Sequence, residues 1–319
     1  MRKIVVFNRM SDPLTHEMQV FSAFPDVEVV KSDAITEEEL IRDAKDAEII
    51  LFSSARLTRT VLSSLNRCKL IVRYGIGYDT VDTEAARELG IYVCNSPGYG
   101  AIDVAEHAFS LMMACTKNLT RLHARVLDKN FGFTDIGVWR RFSGKTVGFF
   151  GFGRIARALC GFTKPFGVRV LVCDPYVSDS VLAEYNATRC EKDELLSSSD
   201  YVTLHMPLNE ETRHMIGARE LSLMKPDAII VNTSRGPVID EEALADALDR
   251  GVIAGAGLDV FEDESGKVDD RLIGARNVTL TPHVAWNTVE AVYALSEEVA
   301  ENVARYLRGE RPNSIVNGL

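Results

Sequence analysis

Three short segments in the second half of the sequence carry side chains that can move a proton and bind a carboxylate. They are Arg235 in N-T-S-R-G, one of the carboxylates of D-V-F-E-D-E over 259–264, and His283 in T-P-H-V-A-W. Histidine titrates near neutrality, and a carboxylate on its second ring nitrogen fixes the tautomer and favours the imidazolium. Arginine keeps its charge, and its planar fork matches a carboxylate. These types suit hydride transfer to a ketone, which leaves an oxyanion that must take up a proton.

Each of the three residues has an ordinary explanation when it is considered alone. An arginine at a strand end most often forms a surface ion pair, an acidic run is usually a solvated loop, and one histidine in a turn can be a structural hydrogen bonder. Their positions argue for more, because each segment follows an apolar run predicted as a buried strand, over 228–232, 254–259 and 278–280. In a doubly wound sheet these strand ends share one edge, so we expect the side chains to be neighbours.

A glycine-rich turn predicted at the same edge indicates a dinucleotide site. An apolar strand over 146–150 runs into G-x-G-x-x-A, formed by Gly151, Gly153 and Ala156. The N–H groups and dipole of the helix that follows can hold a pyrophosphate, and a side chain at Gly153 would block its approach. The motif alone is also typical of an ordinary strand–helix turn. A second strand over 168–173 ends on Asp174, where an acidic residue binds the ribose of NAD and repels the 2′-phosphate of NADP. Asp174 can alternatively cap the segment that begins at Pro175.

Strand and helix patterns alternate through both halves of the chain, which predicts parallel sheets covered on both faces. The first half has strand candidates at 4–7, 27–30, 49–52, 70–73 and 91–94, and the second has the six at 146–150, 168–173, 201–204, 228–232, 254–259 and 278–280. A long helix over about 102–128 would cross between domains, and a helix over 288–307 would return to the first. We therefore predict an α/β protein with two doubly wound parallel-sheet domains, 1–98 with 288–319, and 99–287.

Composition limits the classes of partner. The chain has 319 residues, 46% hydrophobic and 26% charged, with a formal net charge of −10. This charge argues against nucleic acid or an anionic membrane as partner, and no window is apolar enough to span a bilayer. The six cysteines show no C-x-x-C spacing and are expected to be reduced in a cytoplasmic protein without a metal site.

Two further segments have alternative interpretations. Tyr74, Gly75, Ile76 and Gly77 follow a strand and could bind a small anion through backbone N–H groups, although this segment alone favours a plain turn. The irregular stretch 130–144 mixes Phe131, Phe133, Trp139 and Phe142 with arginines. Such a mixture is typical of a subunit contact, and a loop packed on its own domain is the alternative.

The order of the motifs resembles the D-isomer-specific 2-hydroxyacid dehydrogenases over the whole chain. The glycine fingerprint, L-H-M-P-L at 204–208, N-T-S-R-G, G-L-D-V-F-E-D-E and T-P-H-V-A-W all occur in sequence. The resemblance implies a discontinuous, flavodoxin-like substrate-binding domain, an inserted Rossmann NAD-binding domain, an active site in the cleft and a homodimer through an arm at about 119–145. It makes His283 the acid/base and Glu264 its partner. Arg235 would bind the substrate carboxylate and carbonyl, and Asp259 would hold the nicotinamide carboxamide.

The same resemblance gives the other site residues and turns the 75–77 segment into a backbone site for the substrate carboxylate. The implied NAD-binding residues are Gly151, Gly153, Arg154, Ile155, Asp174, His205, Pro207, Thr212, Thr233, Ser234, Asp259 and His283, with Arg154 and Thr212 near the phosphates. The implied substrate-binding residues are Tyr74, Gly75, Ile76, Gly77, Arg235 and Trp286. The substrate would be a small 2-keto or 2-hydroxy acid. The family usually has proline after the glutamate, whereas this chain has Ser265 and Gly266, so the loop here could sit differently.

A second hypothesis from another functional class is an NAD(H)-sensing protein without catalytic function. Co-repressors of the C-terminal-binding-protein type share the expected fold and the Arg–Glu–His set, and their turn is similar to the one at Arg73–Gly77. The three residues therefore do not separate an enzyme from a sensor, whereas turnover of 2-keto acids with NADH does.

Overall fold

The computed structural model describes residues 1–7, 14–134, 136–275 and 277–319. The chain divides into two compact units, one formed by Met1–Gly100 with Thr288–Leu319 and the other by Ala101–Asn287. Among the described residues, none of the helices combines the length and the hydropathy that a membrane crossing needs.

The first unit contains a five-stranded parallel sheet of order β2-β1-β3-β4-β5, which is the flavodoxin-like order. Its strands carry near-continuous apolar runs because helices cover both faces. The unit is completed by α13, whose buried side chains pack with those of the sheet. The elements are β1 (Arg2–Phe7), α1 (Thr15–Phe21), β2 (Val27–Ser32), α2 (Glu37–Ala44), β3 (Ile49–Phe52), α3 (Arg59–Ser63), β4 (Leu70–Arg73), α4 (Thr83–Glu88), β5 (Tyr92–Cys94) and α13 (Val289–Leu307).

The second unit contains a seven-stranded parallel sheet of order β12-β11-β10-β9-β6-β7-β8, which extends the six-stranded Rossmann order by one strand. Two short 3₁₀ turns, Lys164–Phe166 and Gly236–Val238, follow the first crossover helix and β10. The elements are α5 (Ala101–Lys117), α6 (Leu119–Leu127), β6 (Thr146–Phe150), α7 (Arg154–Thr163), β7 (Arg169–Cys173), α8 (Asp179–Glu184), β8 (Ala187–Arg189), α9 (Lys192–Ser198), β9 (Tyr201–Leu204), α10 (Ala218–Leu223), β10 (Ile229–Asn232), α11 (Glu241–Asp249), β11 (Gly255–Leu258), α12 (Asp270–Gly274) and β12 (Val278–Leu280).

The predicted fold class, two parallel-sheet α/β domains, is confirmed, and two details of the prediction are wrong. The second sheet has seven strands rather than six, because the three-residue edge strand β8 pairs with β7. The helix predicted over 102–128 is two helices, because Asn118 between α5 and α6 adopts a left-handed conformation with φ of 53°. Asparagine tolerates this conformation better than most residues.

Helix α5 lies against the second sheet and does not simply link the units. Its apolar face buries Ala105, Ala108, Leu111, Met112 and Cys115 in a cluster with residues of β6 and β10. The contact with β11 is close, since a Cβ added to Gly257 would lie 2.9 Å from the Leu111 Cβ. The sheet thus holds α5 firmly beside the strand ends that carry the candidate site.

Candidate active site

The candidate site of the second unit is built at one edge of its sheet. All the strand pairs in this sheet are parallel, so the turns after β6, β7, β9, β10, β11 and β12 leave from the same edge. These turns carry the predicted cofactor and proton-transfer residues of this unit. Ligands of open α/β sheets bind at such carboxyl ends.

The turn between β6 and α7 has the shape that an anion site requires. Gly151 has a φ of 78°, and a Cβ placed there would lie 2.8 Å from the carbonyl oxygen of His205, so only glycine fits without strain. Gly153 is the N-cap of α7, and a Cβ placed there would meet no atom within 4 Å. A side chain at Gly153 would fill the open space in front of the helix N-terminus, where Arg154 and Ile155 begin the first turn. The residues present therefore fit a pyrophosphate.

Asp174 joins this turn to the segment after β7. Its Oδ2 accepts from the Phe152 N–H at 2.7 Å, while its Oδ1 accepts from the N–H groups of Tyr176 at 2.7 Å and Val177 at 3.2 Å. The capping interpretation is therefore correct as far as Oδ1 is concerned. The contact with Phe152 also places the carboxylate directly beside the glycine turn, where a ribose would be expected.

The loop after β9 presents His205, Pro207 and Thr212. Burial lowers the pKa of His205 to about 3, so its ring is neutral, and its Nε2 lies 2.9 Å from the Thr203 hydroxyl. The Thr212 hydroxyl donates to the Pro207 carbonyl at 2.7 Å and accepts from the Asn209 N–H at 2.8 Å. These contacts fold the loop into a compact turn over the sheet edge.

The loop after β10 is fixed by the buried side chain of Asn232. The sequence indicated no separate role for this residue beyond its place in N-T-S-R-G. Its Oδ1 accepts from the Ser234 N–H at 2.9 Å, and its Nδ2 donates to the Arg235 carbonyl at 2.8 Å. The buried Thr233 Oγ1 has no hydrogen-bond partner within the described residues, which marks a polar group suited to a ligand. Gly236 approaches the Phe261 backbone so closely that a Cβ would lie 1.9 Å from its carbonyl carbon. This packing brings the Arg235 loop against the segment that carries Glu264.

Glu264 and His283 form the pair expected from the sequence. Their Oε2 and Nδ1 atoms are 2.8 Å apart. Burial opposes ionisation of Glu264, but the hydrogen bond and charge of His283, with the charge of Arg235, outweigh it and hold the pKa of Glu264 below its usual range. A carboxylate only accepts hydrogen bonds, so Nδ1 carries a proton and Nε2 is the nitrogen that can exchange one with a substrate. This distance is kept although Ser265 and Gly266 follow, with the Ser265 N–H donating to Asp263 Oδ1 at 2.8 Å.

Asp259 anchors the loop that carries His283. It is fully buried, and its carbonyl accepts from the His283 N–H at 2.7 Å. Its Oδ1 accepts from the Thr281 hydroxyl at 2.6 Å and the Val284 N–H at 3.0 Å, and its Oδ2 accepts from the Ala285 N–H at 2.9 Å. His283 itself has a φ of 54°, which is unusual for a residue with a side chain. The sequence pattern did not reveal the anchoring role of Thr281. Its only signal is a hydroxyl residue directly after a buried strand.

The predicted substrate-binding turn belongs to the first unit. Gly75 has a φ of 143°, and its carbonyl accepts from the Ser96 N–H at 3.0 Å. The Asn95 side chain donates to the Ile76 carbonyl at 2.7 Å. Tyr74 is buried, and its hydroxyl lies 3.0 Å from the carboxylate of the fully buried Glu17. Tyr74 is thus a core residue, and the backbone of Ile76 and Gly77 is the part of this turn that is suited to an anion.

Comparison with known proteins identifies the family. Residues 109–285 match the model of the D-isomer-specific 2-hydroxyacid dehydrogenase NAD-binding domain. The chain belongs to this family. It is 38% identical to a D-3-phosphoglycerate dehydrogenase from Methanocaldococcus jannaschii, covering 97% of this chain and 59% of that protein. It is also 38% identical to a glyoxylate reductase from Thermococcus litoralis, covering 88% of this chain and 85% of the relative.

Solved structures of the family agree with this fold. A D-lactate dehydrogenase from Aquifex aeolicus, complexed with NAD and lactic acid, has a TM-score of 0.86 at 32% identity and covers 96% of each chain. A glyoxylate reductase from Paecilomyes thermophila has a TM-score of 0.91 at 27% identity, covering 99% of this chain and 98% of its own. The predicted family and NAD as the cofactor are therefore confirmed. The chain spans 59% of the length of the phosphoglycerate dehydrogenase that it matches.

Proposed function

We propose that this protein interconverts a small 2-keto acid and its D-2-hydroxy acid with NAD. The observation that carries the proposal is the His283–Glu264 contact of 2.8 Å at the carboxyl edge of the sheet. The charge of Arg235 also acts on Glu264. This set can protonate an oxyanion and bind a carboxylate beside a dinucleotide turn. NAD, when bound, supplies or accepts the hydride.

Each residue of the set has a distinct part in the reaction. Arg235 binds the substrate carboxylate and carbonyl, because its guanidinium keeps its charge and offers two parallel N–H groups. His283 Nε2 donates the proton to the carbonyl oxygen during reduction and takes it back during oxidation. Glu264 accepts from Nδ1, so it holds the ring in one orientation and stabilises the imidazolium.

Cofactor binding is assigned to residues on the same edge of the sheet. Gly151, Gly153, Arg154 and Ile155 would hold the pyrophosphate, and Thr212, His205 and Pro207 would line its path. Asp174 would accept from the ribose hydroxyls. Thr233 and Ser234 would lie against the nicotinamide half, where the unsatisfied Thr233 hydroxyl needs a partner. Asp259 enters this proposal as the anchor of the His283 loop.

The substrate class follows from the relatives, whose names include glyoxylate reductase, D-3-phosphoglycerate dehydrogenase and D-lactate dehydrogenase. We place glyoxylate, pyruvate and hydroxypyruvate first. The sequence shows no local cluster of lysine and arginine that would require a phosphorylated substrate. Trp286 after the His283 segment would contact the substrate side chain, and the backbone of Ile76 and Gly77 would bind a carboxylate.

The deciding experiment is NADH oxidation at 340 nm with these acids and 3-phosphohydroxypyruvate. The variants are His283→Asn and Arg235→Gln, and asparagine is chosen because it tolerates the positive φ at His283. General acid–base catalysis contributes about 10²–10⁴-fold, so His283→Asn should lose at least about 100-fold in kcat/KM. Arg235→Gln should lose about 10–100-fold, because it removes a charge-assisted hydrogen bond to the substrate carboxylate that is worth about 1.5–3 kcal/mol. His214→Asn is the matched control, since His214 also has a positive φ and pairs with Glu262 at 2.8 Å.

Near-normal NADH oxidation by both variants would contradict the roles proposed for His283 and Arg235. If every keto acid is inert while NADH binds tightly, the protein acts instead as an NAD(H) sensor. That outcome would favour the second hypothesis and contradict this one.

We propose further that the protein is a homodimer through the arm at 119–145. Large apolar side chains of this arm are exposed, including Leu127, Phe131, Phe133 and Val138. Phe142 is an exception, because it packs in the core with Phe109, Phe166 and Tyr201, and Asp135 lies outside the described residues. A second copy is the occupant that would cover the exposed group.

The six cysteines are free thiols, which suits the cytoplasmic location that we propose.

A further inference from the structure

Helix α5 brings a second histidine, His107, to the polar groups beneath the His283 loop. His107 Nε2 lies 2.9 Å from the Thr281 hydroxyl oxygen and 3.5 Å from Asp259 Oδ1. The same hydroxyl lies 2.6 Å from Asp259 Oδ1. The three side chains therefore form a short chain of contacts that runs from the helix to the anchor of the loop.

The donors in this chain can be assigned from its geometry. The Thr281 hydroxyl has one proton, and the nearby carboxylate is an acceptor only, so the proton points to Asp259. The hydroxyl oxygen must then accept from His107, which requires a proton on Nε2. His107 thus supports both Thr281 and, by its proximity, the buried carboxylate.

This support matters because Asp259 holds the backbone on both sides of His283. Its side chain accepts from the N–H groups of Val284 and Ala285, and its carbonyl accepts from the N–H of His283. A buried carboxylate depends on its donors, and a left-handed conformation at His283 persists only where the surroundings impose it. Loss of the His107 donor would leave the Thr281 hydroxyl less firmly held against Asp259. The loop, and with it the His283 imidazole, would then be less precisely placed.

We propose that His107 is a positioning residue for His283, acting through Thr281 and Asp259. This inference rests on the proposed function, because it takes His283 as the group that exchanges the proton. Packing alone does not call for an imidazole at this position. The residues that follow on the buried face of α5, Ala108 and Leu111, are apolar, whereas His107 keeps 24% of its side chain exposed.

The test compares four variants of the full-length protein in keto-acid reduction with NADH. His107→Leu removes the donor at similar volume, and His107→Gln can return an N–H to the position of Nε2. Thr116→Val is the matched control, since it removes another hydrogen bond of α5, that between the Thr116 and Tyr201 hydroxyls at 3.0 Å, away from the loop. His283→Asn reports separately on the proposed function.

Two measurements separate positioning from general destabilisation. We expect His107→Leu to lower kcat about tenfold, the equivalent of 1.4 kcal/mol, with KM values changed less than about threefold. Hydrogen exchange of the peptide with Val284 and Ala285, followed by mass spectrometry, should become faster in the same variant. His107→Gln should restore most of both properties, and Thr116→Val should change neither.

The inference is overturned if His107→Leu keeps kcat within twofold and the exchange of this peptide is unchanged while His283→Asn is inactive. Equal losses in His107→Leu and Thr116→Val would also overturn it, because they indicate a purely structural role. If His283→Asn remains active, the proposed function fails instead. The exchange of Val284 and Ala285 still decides then whether His107 holds the loop.

Discussion

Replacing Glu264 with glutamine isolates the electrostatic part of the His283–Glu264 pair. The substitution keeps the size of the side chain and removes its negative charge, 2.8 Å from Nδ1. During reduction His283 must be protonated to donate its proton. Although burial raises the pKa of Glu264, the hydrogen bond and charge of His283 hold it below its usual range. The same attraction favours the protonated ring, and the variant lacks it. The alkaline limb of the pH–rate profile for reduction should therefore move to lower pH.

The size of the shift follows from the distance and the exposure of the pair. Two unit charges at this separation attract by about 1.5 kcal/mol in water. The His283 and Glu264 side chains are 37% and 43% exposed, so screening and side-chain entropy reduce this to about 0.2–1 kcal/mol. Because one pH unit corresponds to about 1.4 kcal/mol, the limb should move by about 0.1–0.7 pH unit.

The assay is kcat/KM for glyoxylate reduction between about pH 5 and 9, measured at constant ionic strength. The pKa of Glu264 lies below its usual range, so the wild-type carboxylate stays ionised through this window. Its own titration therefore does not contribute to the alkaline limb. Glu262→Gln is the control, since Glu262 pairs with His214 rather than His283. A limb that stays in place, or that moves to higher pH, would refute the electrostatic reasoning. The height of the plateau is less diagnostic, because an amide can also select the wrong tautomer.

Three other perturbations test separate features. Gly151→Ala should lower the free energy of unfolding by about 1–3 kcal/mol in chemical denaturation, because the φ of 78° strains a side chain and the new Cβ would press on the His205 carbonyl. Gly161→Ala in α7 is the control, since open space surrounds that position, and it should not lower the stability. Equal stabilities of the two variants would contradict the geometry. Asp174→Asn should raise the NADPH-to-NADH ratio of kcat/KM by about tenfold, because it removes a charge that repels the 2′-phosphate; an unchanged ratio would count against the assigned ribose contact. Phe131→Glu with Val138→Glu should convert a dimer to a monomer in light scattering, and a monomeric wild type would end the arm proposal.

The fold class was predictable because its signals are local and repeated. Each central strand is a short apolar run followed by a turn and a helix, so alternation alone indicates parallel sheets. Helix α2 carries a local signal of the same kind, because its N-cap Thr36 and Glu39, three residues later, form both bonds of a capping box. The edge strand β8 escaped prediction because Ala187–Arg189 is short and mostly polar, and only pairing with β7 defines it. The break at Asn118 depends on one backbone conformation that the apolar pattern does not record.

The pairing of His283 with Glu264 was predicted from the family resemblance. The strand pattern alone places both residues at the same edge of the sheet but does not show that their side chains meet. The contacts that hold them were beyond the sequence. Asn232 acts through a hydrogen bond to the loop backbone and Thr281 through one to the Asp259 carboxylate, and such partners depend on the path of the loop after the strand. His107 is farther still, because it meets Thr281 across 174 positions of the chain. A histidine on an apolar helix face gives no hint of which loop it supports.

Asp259 shows where a role taken from resemblance and the local physics diverge. The resemblance assigns its carboxylate to the nicotinamide carboxamide, yet the side chain is only 1% exposed. Its Oδ1 has two donors and lies near a third, and its Oδ2 has the Ala285 N–H. A carboxylate oxygen accepts about two hydrogen bonds, so Oδ2 keeps capacity, but a ligand can use it only if the loop of Thr281–Ala285 opens. Because that loop carries His283, such opening would also move the proton donor. The contacts therefore favour Asp259 as the anchor of His283.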